Sequence, residues 1–263
     1  MREVDYGSAL ARMLLGVTAH PGGVPLSQHL LDLLELAPGS LVADVACGRG
    51  TTLELLAERG HLPVGVDLSS RHPRAVRGDA HALPLAASTY DAVLCECSVS
   101  TFARPEVALA EAVRVLRPGG TYAMTDVLLD RTRAVPGVVA AVDRLTRAQT
   151  ISEYAGLLEG AGLQVVTVED RGADALALVR RLRRRLPWSG VVRACEQAVH
   201  TGTLGYGLLL ARKEVTVPRN APEGAGPSGL RLIRTDHRGR STLPTARSDP
   251  VVLGSAQARA VLK

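Results

Sequence analysis

The sequence has no long hydrophobic run, because none of its stretches approaches the roughly 18 consecutive apolar residues of a membrane-spanning helix. Near its start it carries Glu3 and Asp5 and has no sustained apolar segment before a small-residue cleavage site. We therefore expect no secretory signal. Its four cysteines form no disulfide-type spacing, which is typical of a reducing compartment. These absences predict a cytoplasmic protein without a membrane span.

A basic folded body is also missing, although the whole chain has a net charge of +5. Residues 218–263 contain eight Arg or Lys and three Asp or Glu, and the residues before them contain 23 of each sign. Because affinity for phosphates requires a basic surface, we expect no nucleic-acid partner. The segment 218–263 has no Phe, Tyr or Trp and cannot bury enough apolar surface to offset its ordering entropy. It is predicted to be a disordered, low-complexity basic tail.

Strand-like and helix-like segments alternate through residues 37–217. Apolar strands separated by helices indicate a largely parallel sheet covered on both faces, so we predict an α/β, Rossmann-like domain there. Residues 1–36 are expected to form an N-terminal helical or lid segment. A threonine is expected to cap the helix that begins TTLELL, and Ser152 the helix over 152–162. The strands are predicted at 41–45, 63–67, 75–79, 90–95, 121–127, 163–170 and within 202–215.

The segment DVACGRG, residues 44–50, joins the first predicted strand to a helix. Its small residue and two glycines let a ligand approach the backbone, and the helix N-terminus offers free N–H groups. Asp67 ends the second strand, where a carboxylate accepts the ribose hydroxyls of an adenosine. Asp79 ends the third strand, where a carboxylate can accept from an adenine amino group. With Asp44, these acids disfavour a phosphate ligand and favour a cationic adenosine derivative.

The series DVACGRG, GVD, GDAHALPLAASTYDAV and VLRPGGTYAMTDV resembles, in order and spacing, the motifs of class I S-adenosylmethionine-dependent methyltransferases. Within them it looks like the small-molecule branch that includes quinone C-methyltransferases and arsenite methyltransferases. The resemblance covers residues 20–215. It implies a seven-stranded sheet whose last strand is antiparallel, S-adenosylmethionine as the cofactor and a small molecule as the partner.

Matching positions imply which residues contact that cofactor. Ala46 stands where the family has its first glycine, and alanine is tolerated there if its φ is negative. The implied contacts are Asp44, Gly48 and Gly50 at the methionine end, Asp67 at the ribose, and Asp79 with Ala80 around the adenine, together with Ala46, Cys47, Leu68 and Cys95.

Methyl transfer from a sulfonium needs alignment of the nucleophile and exclusion of water, and it needs a base only when the acceptor must lose a proton. Glu96 and Asp126, at the ends of the fourth and fifth strands, are candidates for a base or for orienting the substrate. His20, in the sequence HPGG of a possible lid, is a third candidate. Residues 128–151 are expected to form a second element that covers the substrate.

The sequence CEC at 95–97 puts Cys95 and Cys97 on one strand face and Glu96 on the other, if the strand continues that far. Such a pair suits a thiophilic substrate, such as trivalent arsenic, or a metal. The interpretation as ordinary buried cysteines is favoured, because two thiolates do not complete a structural zinc site. We therefore assign no metal. The arginine run within 180–185 is interpreted as a solvated helix face, since the body has no net charge.

The sequence predicts a methyltransferase that acts on an unidentified small molecule. Alternatives that remain open are an arsenite-type enzyme and a relative that binds the cofactor without turnover. An NAD(P)-dependent oxidoreductase is less well supported, because GRGTTL lacks the third glycine of the dinucleotide fingerprint. The Tyr-x-x-x-Lys pair of short-chain dehydrogenases is also absent, since the only lysines are Lys213 and Lys263. The motif of nucleic-acid methyltransferases, Asn/Asp-Pro-Pro-aromatic, does not follow the fourth strand. The acceptor and the oligomeric state stay open.

Overall fold

The computed structural model of the protein describes residues 20–215 and the backbone of residues 231–233. Helices and strands alternate along most of this part of the chain. The helices are α1 (Gly23–Leu33), α2 (Thr51–Glu58), α3 (Pro105–Val115), α4 (Pro136–Val142), α5 (Ile151–Gly160), α6 (Gly172–Arg185) and α7 (Gly190–His200). The strands are β1 (Leu41–Val45), β2 (Leu62–Asp67), β3 (Ala75–Arg77), β4 (Tyr90–Glu96), β5 (Leu116–Leu129), β6 (Leu163–Asp170), β7 (Leu204–Lys213) and β8 (Arg231–Ile233).

The strands form one sheet in the order β3-β2-β1-β4-β5-β7-β6-β8. Strand β7 is antiparallel to both β5 and β6, and the other pairs are parallel. The predicted Rossmann-like fold with seven strands and an antiparallel last strand is confirmed. The short eighth strand, Arg231–Ile233, lies within the segment predicted to be a disordered tail and pairs with β6. The rest of that tail, like residues 1–19, lies outside the described residues.

Apolar side chains cover both faces of the sheet, which explains why its strands are apolar runs without alternation. On one face Val93 and Met124 pack with Leu109 of α3 and Leu158 of α5. The opposite face buries α1, α2 and part of α6. The core there includes Leu26, Leu30, Leu56, Leu94, Ala175, Tyr206 and Leu208.

A third apolar cluster lies beyond the carboxyl end of β5. Helices α4 and α7 contribute Val138, Val142 and Ala198, which pack against Leu129 and Leu204. The segment 128–151, predicted to cover the substrate, thus contains a short helix held by α7. Helix α7 itself was not predicted from the sequence.

Two helix caps differ from the sequence prediction. The N-cap of α2 is Gly50, with φ 81° and no side-chain hydrogen bond, in place of a threonine. The N-cap of α5 is Thr150, two residues before the predicted Ser152, because Thr150 and Glu153 form a reciprocal capping box that satisfies two free N–H groups, so Ser152 lies inside the helix.

Candidate cofactor site and active site

The carboxyl ends of β1, β2 and β4 bring acidic side chains together. Parallel pairing aligns Asp44 with Gly65 of β2 and with Leu94 of β4. The Asp44 side chain is buried, and no described residue donates a hydrogen bond to it. Burial raises its pKa well above the usual value, and the negative charges of Glu96 and Asp67 raise it further. The site therefore contains a buried acid without a neutralising partner, which is costly unless a cation binds there.

The turn after β1 exposes its backbone. Gly48 has φ 53°, and a Cβ built on it would meet nothing within 4 Å. Ala46 has φ 61°, so the condition of a negative φ, under which alanine is tolerated at this position, is not met. The reason is that the turn requires the left-handed conformation, in which the Ala46 N–H donates to the carbonyl of Val66 at 2.7 Å. Alanine in this conformation costs about 1–2 kcal/mol.

Asp67 joins this turn to the loop after β2. One of its carboxylate oxygens accepts from the Gly48 N–H at 3.0 Å. The other accepts from the N–H groups of Ser69 and Ser70 at 2.8 and 3.0 Å. Asp67 thus lies next to the open side of the glycine turn, as the prediction of a ribose contact requires, and it also holds two loops in place. No sequence motif predicts this second role.

Asp79 follows β3 and is paired with a histidine. Its carboxylate accepts from the His81 N–H at 2.9 Å and from the His81 ring at 2.6 Å, and these bonds lower its pKa. Because the backbone N–H of Arg104 donates to Nε2 of His81, Nδ1 carries the proton that bonds Asp79. The Phe102 ring packs edge-on against His81. Asp79 is thereby oriented while its side chain stays 55% exposed.

The other predicted contacts differ in accessibility. Ala80 is buried, and Leu68 is an exposed residue on the loop after β2. Cys47 is partly buried against Gly65, whose added Cβ would lie 2.5 Å from its sulfur. Burial, followed by the charges of Asp44 and Asp67, raises the pKa of Cys47 to about 12. Its thiol therefore stays protonated at neutral pH.

Glu96 is held by two hydroxyl groups. Ser27 of α1 donates to one oxygen at 2.8 Å, and Thr52 of α2 donates to the other at 2.6 Å. His20 lies 3.6 Å from the same carboxylate and is itself buried. The structure thus brings together two of the three predicted catalytic candidates, Glu96 and His20, beside Asp44. No sequence motif predicts the roles of Ser27 and Thr52.

Asp126 is enclosed in the protein. Its carboxylate accepts from the N–H and hydroxyl of Ser100 at 2.9 and 2.6 Å, and from the Val127 N–H at 2.7 Å. The side chain is fully buried, and burial raises its pKa to about 6 despite these bonds. These contacts connect the end of β5 to the turn after β4.

Cys95 and Cys97 do not share a strand face. Strand β4 ends at Glu96, and Cys97 has φ 53°, so the condition for a shared face, a strand that continues to Cys97, is not met. Cys95 lies in the core cluster that contains Tyr122, whereas Cys97 packs on the opposite cluster that contains Tyr206. Burial raises the pKa of both thiols. A cofactor contact from Cys95 would have to come from its backbone, because its side chain is enclosed.

We assign the candidate site to the carboxyl edge of the sheet and not to the cleft at its opposite edge. A cleft of about 480 Å³ lies at the amino ends of the strands, and its wall includes the ion pair between Arg117 and Asp91. Throughout residues 20–215 there is no group of three or more potential metal ligands. Within the same range no helix has the length and apolar character to cross a membrane.

Comparison with known proteins agrees with this geometry. A family model described as "Methyltransferase domain" matches residues 43–124, the part from β1 into β5. Demethylmenaquinone methyltransferase from Renibacterium salmoninarum is 36% identical over 107 residues, which is 37% of this chain and 45% of the relative. The chain spans about half the length of the curated relatives it matches.

Solved structures share the fold at low identity. Geranyl diphosphate C-methyltransferase from Streptomyces coelicolor A3(2) superposes with a TM-score of 0.64 and 19% identity, over 72% of this chain and 78% of that one. The [4+2]-cyclase SpnF superposes with a TM-score of 0.60 and 20% identity, over 78% and 93%. The predicted resemblance to the class I S-adenosylmethionine-dependent methyltransferases is confirmed. These matches also support the predicted enzyme class and its cofactor.

Proposed function

We propose that the protein transfers a methyl group from S-adenosylmethionine to a small-molecule acceptor. The observation that carries this proposal is the buried Asp44, which has no neutralising partner and lies beside Glu96, Asp67 and an open glycine turn. A ligand with a positive charge relieves the repulsion among these acids, whereas a phosphate group increases it. The donor set therefore fits a cationic nucleoside.

In this proposal the cofactor residues act as follows. Asp44 and the turn of Gly48 and Gly50 hold the methionine end, and Asp67 accepts from the ribose. Asp79, oriented by His81, accepts from the adenine amino group. The remaining contacts proposed are Ala46, Cys47, Leu68, Ala80 and the Cys95 backbone. When bound, S-adenosylmethionine supplies an activated methyl group, so the protein only has to orient the acceptor and exclude water.

Glu96 is the proposed positioning residue or base, because its carboxylate is fixed by Ser27 and Thr52 next to the cofactor edge. His20 supports it from the side of α1. Asp126 is a weaker candidate, since its oxygens already accept three hydrogen bonds inside the protein. Replacing Glu96 with Gln tests this role: we expect a lower kcat and a changed pH profile, with a smaller loss of cofactor affinity than Asp44→Asn causes. A control is Glu169→Gln, since the Glu169 side chain is also enclosed but pairs with His29 and Arg171.

For the acceptor we propose a quinone-type or similarly apolar small molecule. The support is the relative named demethylmenaquinone methyltransferase. The test supplies methyl-labelled S-adenosylmethionine with a demethylated quinone or an extract of small molecules. A mass gain of one methyl group in a quinone supports this proposal, and a gain only in polar metabolites contradicts the acceptor class.

Two alternatives have specific tests. A structural neighbour is described as a [4+2]-cyclase, so tight cofactor binding without methyl transfer to any acceptor would indicate a different reaction on this fold. An arsenite-type enzyme is disfavoured, because the thiols of Cys95 and Cys97 lie in separate core clusters. If the protein methylated arsenite and lost this activity in the Cys95→Ser/Cys97→Ser variant, the thiophilic alternative would replace the quinone proposal.

A further inference from the structure

The end of α6, the turn after it and the start of α7 carry a high positive charge. Residues 180–196 contain six arginines and one acid, Glu196. Glu196 pairs with Arg180 and Arg183, at 3.4 and 2.6 Å. Arg184 and Arg185 are exposed, and neither makes an ion pair or side-chain hydrogen bond with any residue that the structure describes. The positive charges of Arg184 and Arg185 are therefore uncompensated by the described residues, although the body as a whole is balanced.

Apolar side chains are exposed at the same place. Trp188 is 84% exposed, Leu186 is 45% exposed and Val191 is 47% exposed. We call residues 183–193 the arginine–tryptophan tip. The interpretation of the arginine run as a merely solvated face does not account for them, because a solvated face gains nothing from an exposed tryptophan. The combination of arginine with interfacial tryptophan is typical of segments that lie on a membrane surface.

The tip has a defined shape. Arg193 donates to the carbonyl of Pro187 at 3.1 Å, which closes the turn between the two helices. Below it is a cleft of about 450 Å³ lined by Arg180, Arg183, Arg184, Pro187, Arg193 and Glu196. Helix α6 is anchored in the core by Ala175 and Val179, so the exposed side of the helix is presented on a fixed support.

We propose that the arginine–tryptophan tip docks the protein on the surface of an anionic lipid bilayer. Trp188 and Leu186 enter the interfacial layer, and the arginines contact lipid phosphates. A bilayer is favoured over nucleic acid because the exposed apolar side chains need an apolar environment, which a phosphate backbone does not offer. Docking requires no membrane-spanning segment.

Tryptophan fluorescence measures this contact directly, because Trp188 is the only tryptophan of the sequence. The full-length protein is titrated with vesicles of phosphatidylcholine that contain phosphatidylglycerol, and with vesicles of phosphatidylcholine alone. We expect a blue shift of the tryptophan emission and co-sedimentation with the anionic vesicles, both weakened by added salt. Unchanged emission and no sedimentation at physiological ionic strength would overturn the proposal.

Variants locate the contact. Arg184→Gln/Arg185→Gln should weaken vesicle affinity about 30-fold, equivalent to about 2 kcal/mol at about 1.4 kcal/mol per tenfold. The matched control Arg74→Gln/Arg77→Gln removes the same charge from exposed residues at the β3 edge and should change affinity less than threefold. Circular dichroism confirms that both variants fold. Equal losses in the two variants would show an effect of bulk charge and refute the assignment to the tip.

Two further readouts separate the partners. Trp188→Ala keeps the charge and should lower co-sedimentation severalfold, which purely electrostatic attraction does not predict. A double-stranded DNA oligonucleotide is tested in parallel. Binding of that duplex which depends on Arg184 and Arg185, without binding to vesicles, would assign the surface to nucleic acid and contradict the membrane proposal.

Discussion

Replacing Asp44 with asparagine should make the free protein more stable and the cofactor complex weaker. Asp44 is 3% exposed, no described residue donates a hydrogen bond to it, and two further acids repel its charge. Asparagine has nearly the same shape but no charge. We therefore expect the variant to lose the penalty of a buried, unpaired carboxylate and also its attraction for a cation.

The size of both effects follows from general magnitudes. A buried polar group without a hydrogen-bond partner lowers folding stability by about 1–3 kcal/mol, and a charged group lowers it more. The amide of asparagine is still a buried polar group, so the variant recovers only part of this loss. A gain of about 1 kcal/mol in the free energy of unfolding corresponds to about 2–4 °C in Tm for a domain of this size. Removing one partner of a buried charge pair costs about 2–5 kcal/mol in binding, so affinity for S-adenosylmethionine should fall at least about 30-fold.

The sign of the pH dependence is a second test of Asp44. Its pKa is raised in the folded protein, so the folded state binds the proton more tightly than the unfolded state. The stability of the wild type should therefore fall as pH rises through the raised pKa, and this part of the decrease should be absent in Asp44→Asn. Thermal unfolding across pH and titration calorimetry measure both quantities. A variant that is less stable than the wild type at pH 7, with unchanged cofactor affinity, would contradict the proposed role of Asp44.

Three further predictions use the same assays. Asp67→Ala should weaken cofactor affinity by about 1–3 kcal/mol, the scale for unpairing hydrogen-bonded groups, and unchanged affinity would remove its ribose role. Ala46→Gly should raise the free energy of unfolding by about 0.5–1 kcal/mol, because glycine removes the strain of a φ of 61° and only part of this gain is offset by its greater freedom in the unfolded chain. The control Ala43→Gly, inside β1, should lower the free energy of unfolding. Since the pKa of Asp126 is about 6, the stability of the wild type relative to Asp126→Asn should fall by up to about 3 kcal/mol between pH 4 and pH 7; a flat difference would contradict the role of burial.

The sheet could be predicted from the sequence because its strands are continuous apolar runs separated by helices, and the acids at strand ends were visible as Asp44, Asp67 and Asp79. What the sequence did not show depends on contacts between distant segments. Ser27 and Glu96 are 69 positions apart in the sequence, and no local sequence pattern predicts their hydrogen bond. The left-handed φ of Ala46 is imposed by pairing with β2 against the preference of alanine, so local propensity pointed the wrong way.

The fate of Cys97 shows the same limit. Strand alternation places it beside Cys95, and the prediction of a shared face followed from that rule. Hydrogen bonding of the Cys97 N–H to the Thr125 carbonyl at 2.6 Å accompanies the turn at the end of β4 and takes the side chain to the other cluster. Because β4 ends one residue before Cys97, the Cys97 thiol lies on the other side of the sheet from the Cys95 thiol.

We propose that acids at the carboxyl edge of the sheet bind a cationic nucleoside. Titration calorimetry of the full-length protein with S-adenosylmethionine and, separately, with NAD tests this binding. We expect saturable binding of S-adenosylmethionine with one molecule per chain and no comparable binding of NAD. Equally tight binding of NAD, or no binding of either compound, would contradict it.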